Sequence, residues 1–102
     1  MHKPRGRPKK QRFIKNSPKT LKFSPRGKPG RPEEIELKIE EFEALRLADH
    51  LGLKQVEAAK SMQVSQQTFS RILRRARRNL SSGITEAKII RIQGKTDVPG
   101  DK

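Results

Sequence analysis

Residues Gln55–Arg74 read QVEAAKSMQVSQQTFSRILR, and Leu73–Leu80 carry the pattern on as LRRARRNL. Two short helices that cross at a fixed angle leave only certain positions facing their seam. Here Ala58 and Ala59 put small side chains where the helices approach, and Met62, Val64, Phe69 and Ile72 supply apolar ones around the turn. The turn is Gln63-Val64-Ser65, with Ser65 placed to accept a hydrogen bond from a free N–H in the first turn of the next helix. The spacing therefore predicts a helix-turn-helix whose recognition helix starts just after Ser65 and runs over 66–80.

Along that helix Phe69, Ile72, Leu73, Ala76 and Leu80 recur at three- and four-residue steps, forming one packing stripe. The opposite face holds Gln67, Arg71, Arg74 and Arg78, and no acid stands between Ser65 and Leu80 to balance five arginines. A solvated helix face ordinarily mixes both signs of charge, so a one-signed face points to a polyanion. Gln66, Gln67, Ser70 and Arg71 lie in the first turns, where a recognition helix meets base edges; Gln suits adenine and Arg suits guanine in bidentate contact. Lys54, Gln55, Arg74, Arg75, Arg77 and Arg78 are the phosphate-contact candidates, at the start of the preceding helix and further along the recognition helix.

The chain has 102 residues, 30% hydrophobic and 35% charged, with a net charge of +14 and no cysteine. That length builds one small domain at most. The charge is uneven: residues 1–32 carry twelve Lys or Arg and no acid, residues 33–62 carry four basic and eight acidic, and residues 63–102 carry nine basic and three acidic. Basic ends around an acidic middle give two separate surfaces able to meet phosphate. No stretch approaches the ~20 apolar residues that span a bilayer, and no apolar segment follows the basic start as a secretory signal requires. A cytoplasmic, nucleoid-associated protein with no membrane contact is the expectation. The lack of cysteine removes disulfides, thiolate metal sites and cysteine nucleophiles together.

Residues 1–32 hold six of the seven prolines and few large apolar side chains, so this arm is expected to be mostly disordered. Within it, Lys3-Pro4-Arg5-Gly6-Arg7-Pro8-Lys9-Lys10 resembles an AT-hook. Glycine lets backbone approach the floor of a narrow groove, the prolines keep the flanks extended, and the arginines enter where the potential is most negative. The minor-groove candidates are thus Arg5, Gly6, Arg7, Pro8, Lys9 and Lys10, with plain phosphate contact as the alternative. Pro25–Pro32 reads as a turn-rich linker. Phe13-Ile14 and Leu21-Lys22-Phe23 are candidate extended pieces that dock on the domain, and Glu33–Leu37 with Lys88–Gln93 suits a small two-stranded sheet.

The first helix is expected over Ile39–His50, burying Phe42, Leu45 and Ala48, with Gly52 left-handed just past its end. Glu40, Glu41 and Glu43 fall where carboxylates complement the positive end of the helix dipole. No histidine or further acid has the spacing of a metal site, and His50 reads as a helix-end residue. No nucleophile, base and acid set and no phosphate-cradling glycine loop is present, so neither catalysis nor a cofactor is expected. The organisation expected is an arm at 1–32, a domain at 33–94 and a flexible tail at 95–102.

Several stretches also carry a resemblance: Phe42-Glu43-Ala44-Leu45-Arg46-Leu47-Ala48-Asp49, Gly52-Leu53, Ala58-Ala59, Val64-Ser65, Thr68-Phe69-Ser70-Arg71-Ile72-Leu73 and Ala76-Arg77. Together with Arg7-Pro8-Lys9, Phe23, Pro25, Gly27 and Lys88–Ile92, they resemble a family of small prokaryotic proteins described as predicted DNA-binding proteins, over about residues 7–94. That family in turn resembles region four of bacterial sigma factors. The resemblance implies a mainly α, three-helix fold and DNA binding. Three positions depart from it. Lys38 and Lys54 stand where helix caps are usual, each normally worth about 1 kcal/mol, and Gln63 occupies a turn position usually held by glycine.

The leading expectation is a sequence-preferring double-stranded DNA binder acting as a transcriptional regulator. The alternatives are a nucleoid protein that coats DNA and a sigma-like adaptor that contacts RNA polymerase. RNA association lacks an aromatic stacking surface, since the chain has four phenylalanines and no other aromatic. A homodimer reading repeated half-sites is open, although no long heptad seam is present.

Overall fold

A computed structural model describes residues 13–27 and 30–94. Three helices pack on a small three-stranded sheet: β1 (Lys22–Phe23), β2 (Glu34–Leu37), α1 (Ile39–Leu45), α2 (Gln55–Met62), α3 (Gln66–Thr85) and β3 (Ile89–Ile92). The arm residues 1–12, with the hook-like candidates, and the tail 95–102 lie outside the described residues.

The α2–α3 unit forms where its local signals place it. Gln63 takes the left-handed conformation at φ 58°, ψ 43°. Its N–H donates to the Lys60 carbonyl and the Val64 N–H to the Ala59 carbonyl, both at 3.0 Å, closing the paired bonds that terminate a helix at a left-handed residue. Ser65 then caps α3, its Oγ accepting from the Thr68 N–H at 3.1 Å. Ala58, Ala59, Met62, Phe69, Ile72, Leu73 and Ala76 are buried, so the seam is filled by the residues whose spacing announced it. Burial of each large side chain among them favours the fold by roughly 1.5–3 kcal/mol.

α3 continues past Leu80 to Thr85, five residues beyond the expected end. Ser81-Ser82-Gly83 is a poor helix former by itself, but β3 crosses it closely. A Cβ on Gly83 would stand 2.7 Å from Ile90 Cγ1 and 3.0 Å from Ile90 Cδ1, so only glycine fits. The helix closes at left-handed Ala87 (φ 53°), with the Lys88 N–H donating to the Gly83 carbonyl at 2.8 Å.

The first helix differs most from expectation. It spans 39–50 as predicted, but Arg46–His50 is π-helical, with the Leu51 N–H reaching the Arg46 carbonyl at 2.9 Å. Gly52 follows at φ 78°. Its fully buried positions are Glu41, Glu43, Ala44 and Leu47, whereas Phe42, Leu45 and Ala48 are only half-buried. The inward line is thus 41/44/47, one position from the predicted 42/45/48 and so rotated by about 100°. The carboxylates make this possible, because each goes inside with its hydrogen bonds satisfied. The Glu41 Oε1 accepts the Lys38 N–H at 3.0 Å and the Asn79 Nδ2 at 3.2 Å. Glu43 receives Arg46 Nε and Nη2, both at 2.8 Å.

Helix starts at Lys38 and Lys54 have no side-chain cap, as the departures implied. The reciprocal half of the capping arrangement survives: Glu41 accepts from the Lys38 N–H and Glu57 from the Lys54 N–H, the latter at 3.4 Å. Gln93 adds a bond from outside, its Oε1 accepting the Ile39 N–H at 3.1 Å.

The sheet has three strands rather than two, in the order β1-β3-β2. β2 runs parallel to β3, with Leu37 opposite Ile92, and β1 runs antiparallel, with Phe23 opposite Ile90. Ile14 joins the core beside Ala44, Leu47 and Met62. Both expected docking pieces are therefore in place, with Ile14 buried in the core and Lys22–Phe23 paired as an edge strand.

Candidate nucleic-acid interface

α3 carries no acid along its twenty residues, and its buried stripe turns the remaining side chains outward. Gln66 and Gln67 are exposed in its first turn, followed on the outward side by exposed Arg71, Arg74 and Arg78. Among the described residues no ion pair or side-chain hydrogen bond engages these three arginines. Their guanidinium groups stand ready for an external anion.

The other two arginines of α3 are committed within the chain. Arg75 turns back to α1, its Nε 3.4 Å from Glu41 Oε2 and its Nη2 3.8 Å from Glu40 Oε2. Arg77 grips Asp49 in the π-helical segment through Nη2 at 2.8 Å and Nε at 3.1 Å. That fork lowers the Asp49 carboxyl below its ordinary range and raises the Arg77 guanidinium, while the Glu43 contact likewise raises Arg46. The sequence placed Arg71, Arg74 and Arg78 on the outward face and counted Arg75 and Arg77 with them as phosphate contacts; the structure leaves the first three unpaired among the described residues and pairs the other two with acids of the first helix.

Two further candidates are joined to each other. Ser70 Oγ donates to Gln55 Oε1 at 2.6 Å, tying the first turn of α2 to the second turn of α3. With Leu73, Arg74 and Arg77 they line a hollow of about 210 Å³, and exposed Lys54 precedes it. The positive end of α2 and two guanidinium groups thus border one small concavity, an arrangement suited to a phosphate oxygen. Gln66, Gln67 and Arg71 lie N-terminal to it or beside it on α3.

Asp49, Glu40 and Glu41 are ion-pair partners of the candidate arginines that sequence reasoning missed. Asp49 and Arg77 are 28 residues apart, so no local pattern links them. Glu41 had a readable signal, standing three residues after Lys38 as the acceptor of a capping pair. His50 is exposed at the end of the π-helical segment, as expected. Among the described residues no group of three or more His, Asp or Glu is placed to hold a metal ion, and no helix is long and apolar enough to cross a membrane. A larger hollow, about 1210 Å³, lies on the sheet side, walled by Phe23, Phe42, Leu45, Leu80, Ile84 and Ile90. It shares no residue with the smaller basic one.

A family described as "Protein of unknown function DUF134" matches residues 1–98. A UPF0251 protein of Prosthecochloris aestuarii is 49% identical over 90 residues, covering 87% of this chain and 58% of the relative. One of Caldicellulosiruptor bescii is 44% identical over 95 residues, covering 93% of this chain and 66% of the relative. The chain thus spans about three-fifths of the length of these relatives. In Vibrio vulnificus a UPF0251 protein is 45% identical over 91 residues, covering 88% of this chain and 91% of its own length. No solved structure matches. With nearly the whole chain inside the matched region, the protein belongs to the DUF134/UPF0251 family of small proteins found in many bacteria.

Proposed function

We propose that this chain is a sequence-preferring double-stranded DNA-binding protein, a transcriptional regulator that sets α3 in the major groove as the second helix of a helix-turn-helix. The observation that carries this reading is the outward face of α3: Gln66, Gln67, Arg71, Arg74 and Arg78 are exposed on an acid-free helix, and these three arginines are without intramolecular partners among the described residues. An α-helix fits the major groove, where Gln matches the adenine edge and Arg the guanine edge. Gln66, Gln67 and Arg71 then read bases, with Ser70 held beside them by Gln55. Arg74, Arg78, Lys54 and the first turn of α2 contact phosphates on the flanks. Residues 1–12 supply a second, basic element for an adjacent groove. The site for this chemistry is cytoplasmic, on the nucleoid.

Selection of duplexes from a random pool, followed by competition against random DNA at physiological salt, tests the reading. A preference of roughly 10³ or more supports it. A preference below about tenfold supports the second reading, a protein that coats DNA through charge and groove shape, which the net charge of +14 favours.

A further inference from the structure

The apolar stripe of α3 outruns the core behind it. Phe69, Ile72, Leu73 and Ala76 are buried, but Leu80 is only half-buried and Ile84, one turn further, is 67% exposed. Both line the larger hollow, with half-buried Phe42, Leu45 and Ile90 and with Phe23, which is 53% exposed. Hydrocarbon left facing water is unfavourable, so this wall gains by being covered. Clefts that hold small molecules run to roughly 300–1,000 Å³. At about 1210 Å³ this one has room for such a ligand. The segments 1–12 and 95–102 have, apart from proline, only Met1 and Val98 as larger apolar residues, too few to fill it.

The charges around the hollow favour an anion. Its wall includes Arg46, Asp49 and His50 of the π-helical segment, a rare backbone form that recurs at functional sites. Asp49 is the wall's only carboxylate among the described residues, and Arg77 takes it up. Arg46 is forked by Glu43, and Lys88 pairs with Glu86 at 3.0 Å. Lys19, exposed in the loop before β1, has no ion pair or side-chain hydrogen bond among the described residues. The charge left over at the rim is therefore positive, on a chain of net charge +14. A second copy docked here would set the same basic rim against its own, which like-charge repulsion opposes. We propose that this hollow binds a small amphipathic acid, its hydrocarbon body against Leu45, Leu80, Ile84 and Ile90 and its carboxylate toward Lys19. The hollow shares no residue with the outward face of α3, so this binding is independent of the DNA reading.

Calorimetric titration of the full chain with decanoate and dodecanoate, each below its micelle-forming concentration, tests the site, and backbone amide shifts locate the ligand. The expected result is a single dodecanoate per chain, bound about fifteenfold more tightly than decanoate, since each buried CH₂ adds about a fourfold gain. Shifts are expected at Leu45, Leu80, Ile84 and Ile90. Ile84 and Lys19 are exposed, so substitutions there keep the fold. Ile84→Glu is expected to weaken dodecanoate about tenfold or more by setting a carboxylate in the apolar wall. Lys19→Glu is expected to weaken it about threefold, the scale of one exposed ion pair. Dodecyltrimethylammonium, equal in chain length and opposite in charge, should bind at least about threefold more weakly than dodecanoate. Absence of saturable binding, several dodecanoates per chain, shifts centred on Arg71, Arg74 and Arg78, equal binding of the cation, or affinity unmoved by Ile84→Glu would each overturn the site. A concentration-dependent dimer in sedimentation that Ile84→Glu abolishes would also overturn it, assigning the hollow to a second copy.

Discussion

Arg71, Arg74 and Arg78 form the outward stripe of α3, and Arg75 and Arg77 flank that stripe at its two edges: the same residue on the same helix meets opposite fates. At the two edges Glu40 and Glu41 on one flank and Asp49 on the other come within ion-pair distance, so those arginines hold α1 and the π-helical segment against α3. The outer side meets no acid among the described residues, and its arginines remain available to an external partner. Charge density along a sequence therefore overstates a binding surface. What counts is the positive charge left over after the fold has drawn its own ion pairs.

The largest effects are expected where the packed interior behind these arginines is broken. Phe69→Ala should cost about 3–5 kcal/mol by opening a cavity at a fully buried site. Glu43→Ala should cost roughly 3 kcal/mol, since it strands Arg46 and the Lys15 N–H. Urea denaturation checks both, against Arg71→Ala and Arg78→Ala, which should stay within about 0.5 kcal/mol of the parent. Next in size are the binding effects of the outer side. Arg71→Ala should cost about 1–3 kcal/mol on the enriched duplex and alter the preferred base at one position. Arg78→Ala should weaken all duplexes alike and reduce the salt slope by about one. Equal losses for both variants on enriched and random DNA would erase the distinction between reading and anchoring.

A smaller effect moves an arginine from one class to the other. Asp49→Asn releases Arg77 beside the basic hollow, so duplex affinity should rise a few-fold with a steeper salt slope, at a stability cost below about 1 kcal/mol for so exposed a pair. The same contact can be opened with acid. The folded pKa of Asp49 lies below its ordinary value because Arg77 bonds the carboxylate, so the pair's contribution is complete at neutral pH and is lost as pH falls through that lowered value. The smallest change is Ser61→Ala, which removes a buried hydroxyl without a hydrogen-bond partner among the described residues and should stabilise by about 0.5 kcal/mol. Thermal unfolding would detect either sign.

Legibility followed the range of the interactions. The turn at Gln63–Ser65, the Ser65 cap and the packing stripe of α3 are set by neighbours within four residues, and the sequence displays them directly. The face of α1 was read only in part: Leu45 and Ala48 pack against the core, but apolar periodicity treats every carboxylate as solvent-seeking and so missed that Glu41 and Glu43 are buried by partners that periodicity does not see. The end of α3 was placed early for a related reason: Ser81-Ser82-Gly83 is weak locally and is held by β3 from across the domain. Phe13-Ile14 was legible as a docking piece, but not which of its two side chains goes inside: Ile14 is buried and Phe13 exposed. The outward candidates Gln66, Gln67 and Arg71 needed only local spacing and stand where it put them. Arg75 and Arg77 depended on residues far along the chain.

The central claim is that the outward side of α3 is the part of the molecule that meets the duplex. Backbone amide shifts recorded while the full chain is titrated with its enriched duplex test this most directly. The account predicts the largest shifts at Gln66, Gln67, Ser70, Arg71, Arg74 and Arg78, with smaller ones at Arg75 and Arg77. Saturation with residues 66–78 unmoved, while only the N-terminal segment or the sheet-side groove responds, would contradict it.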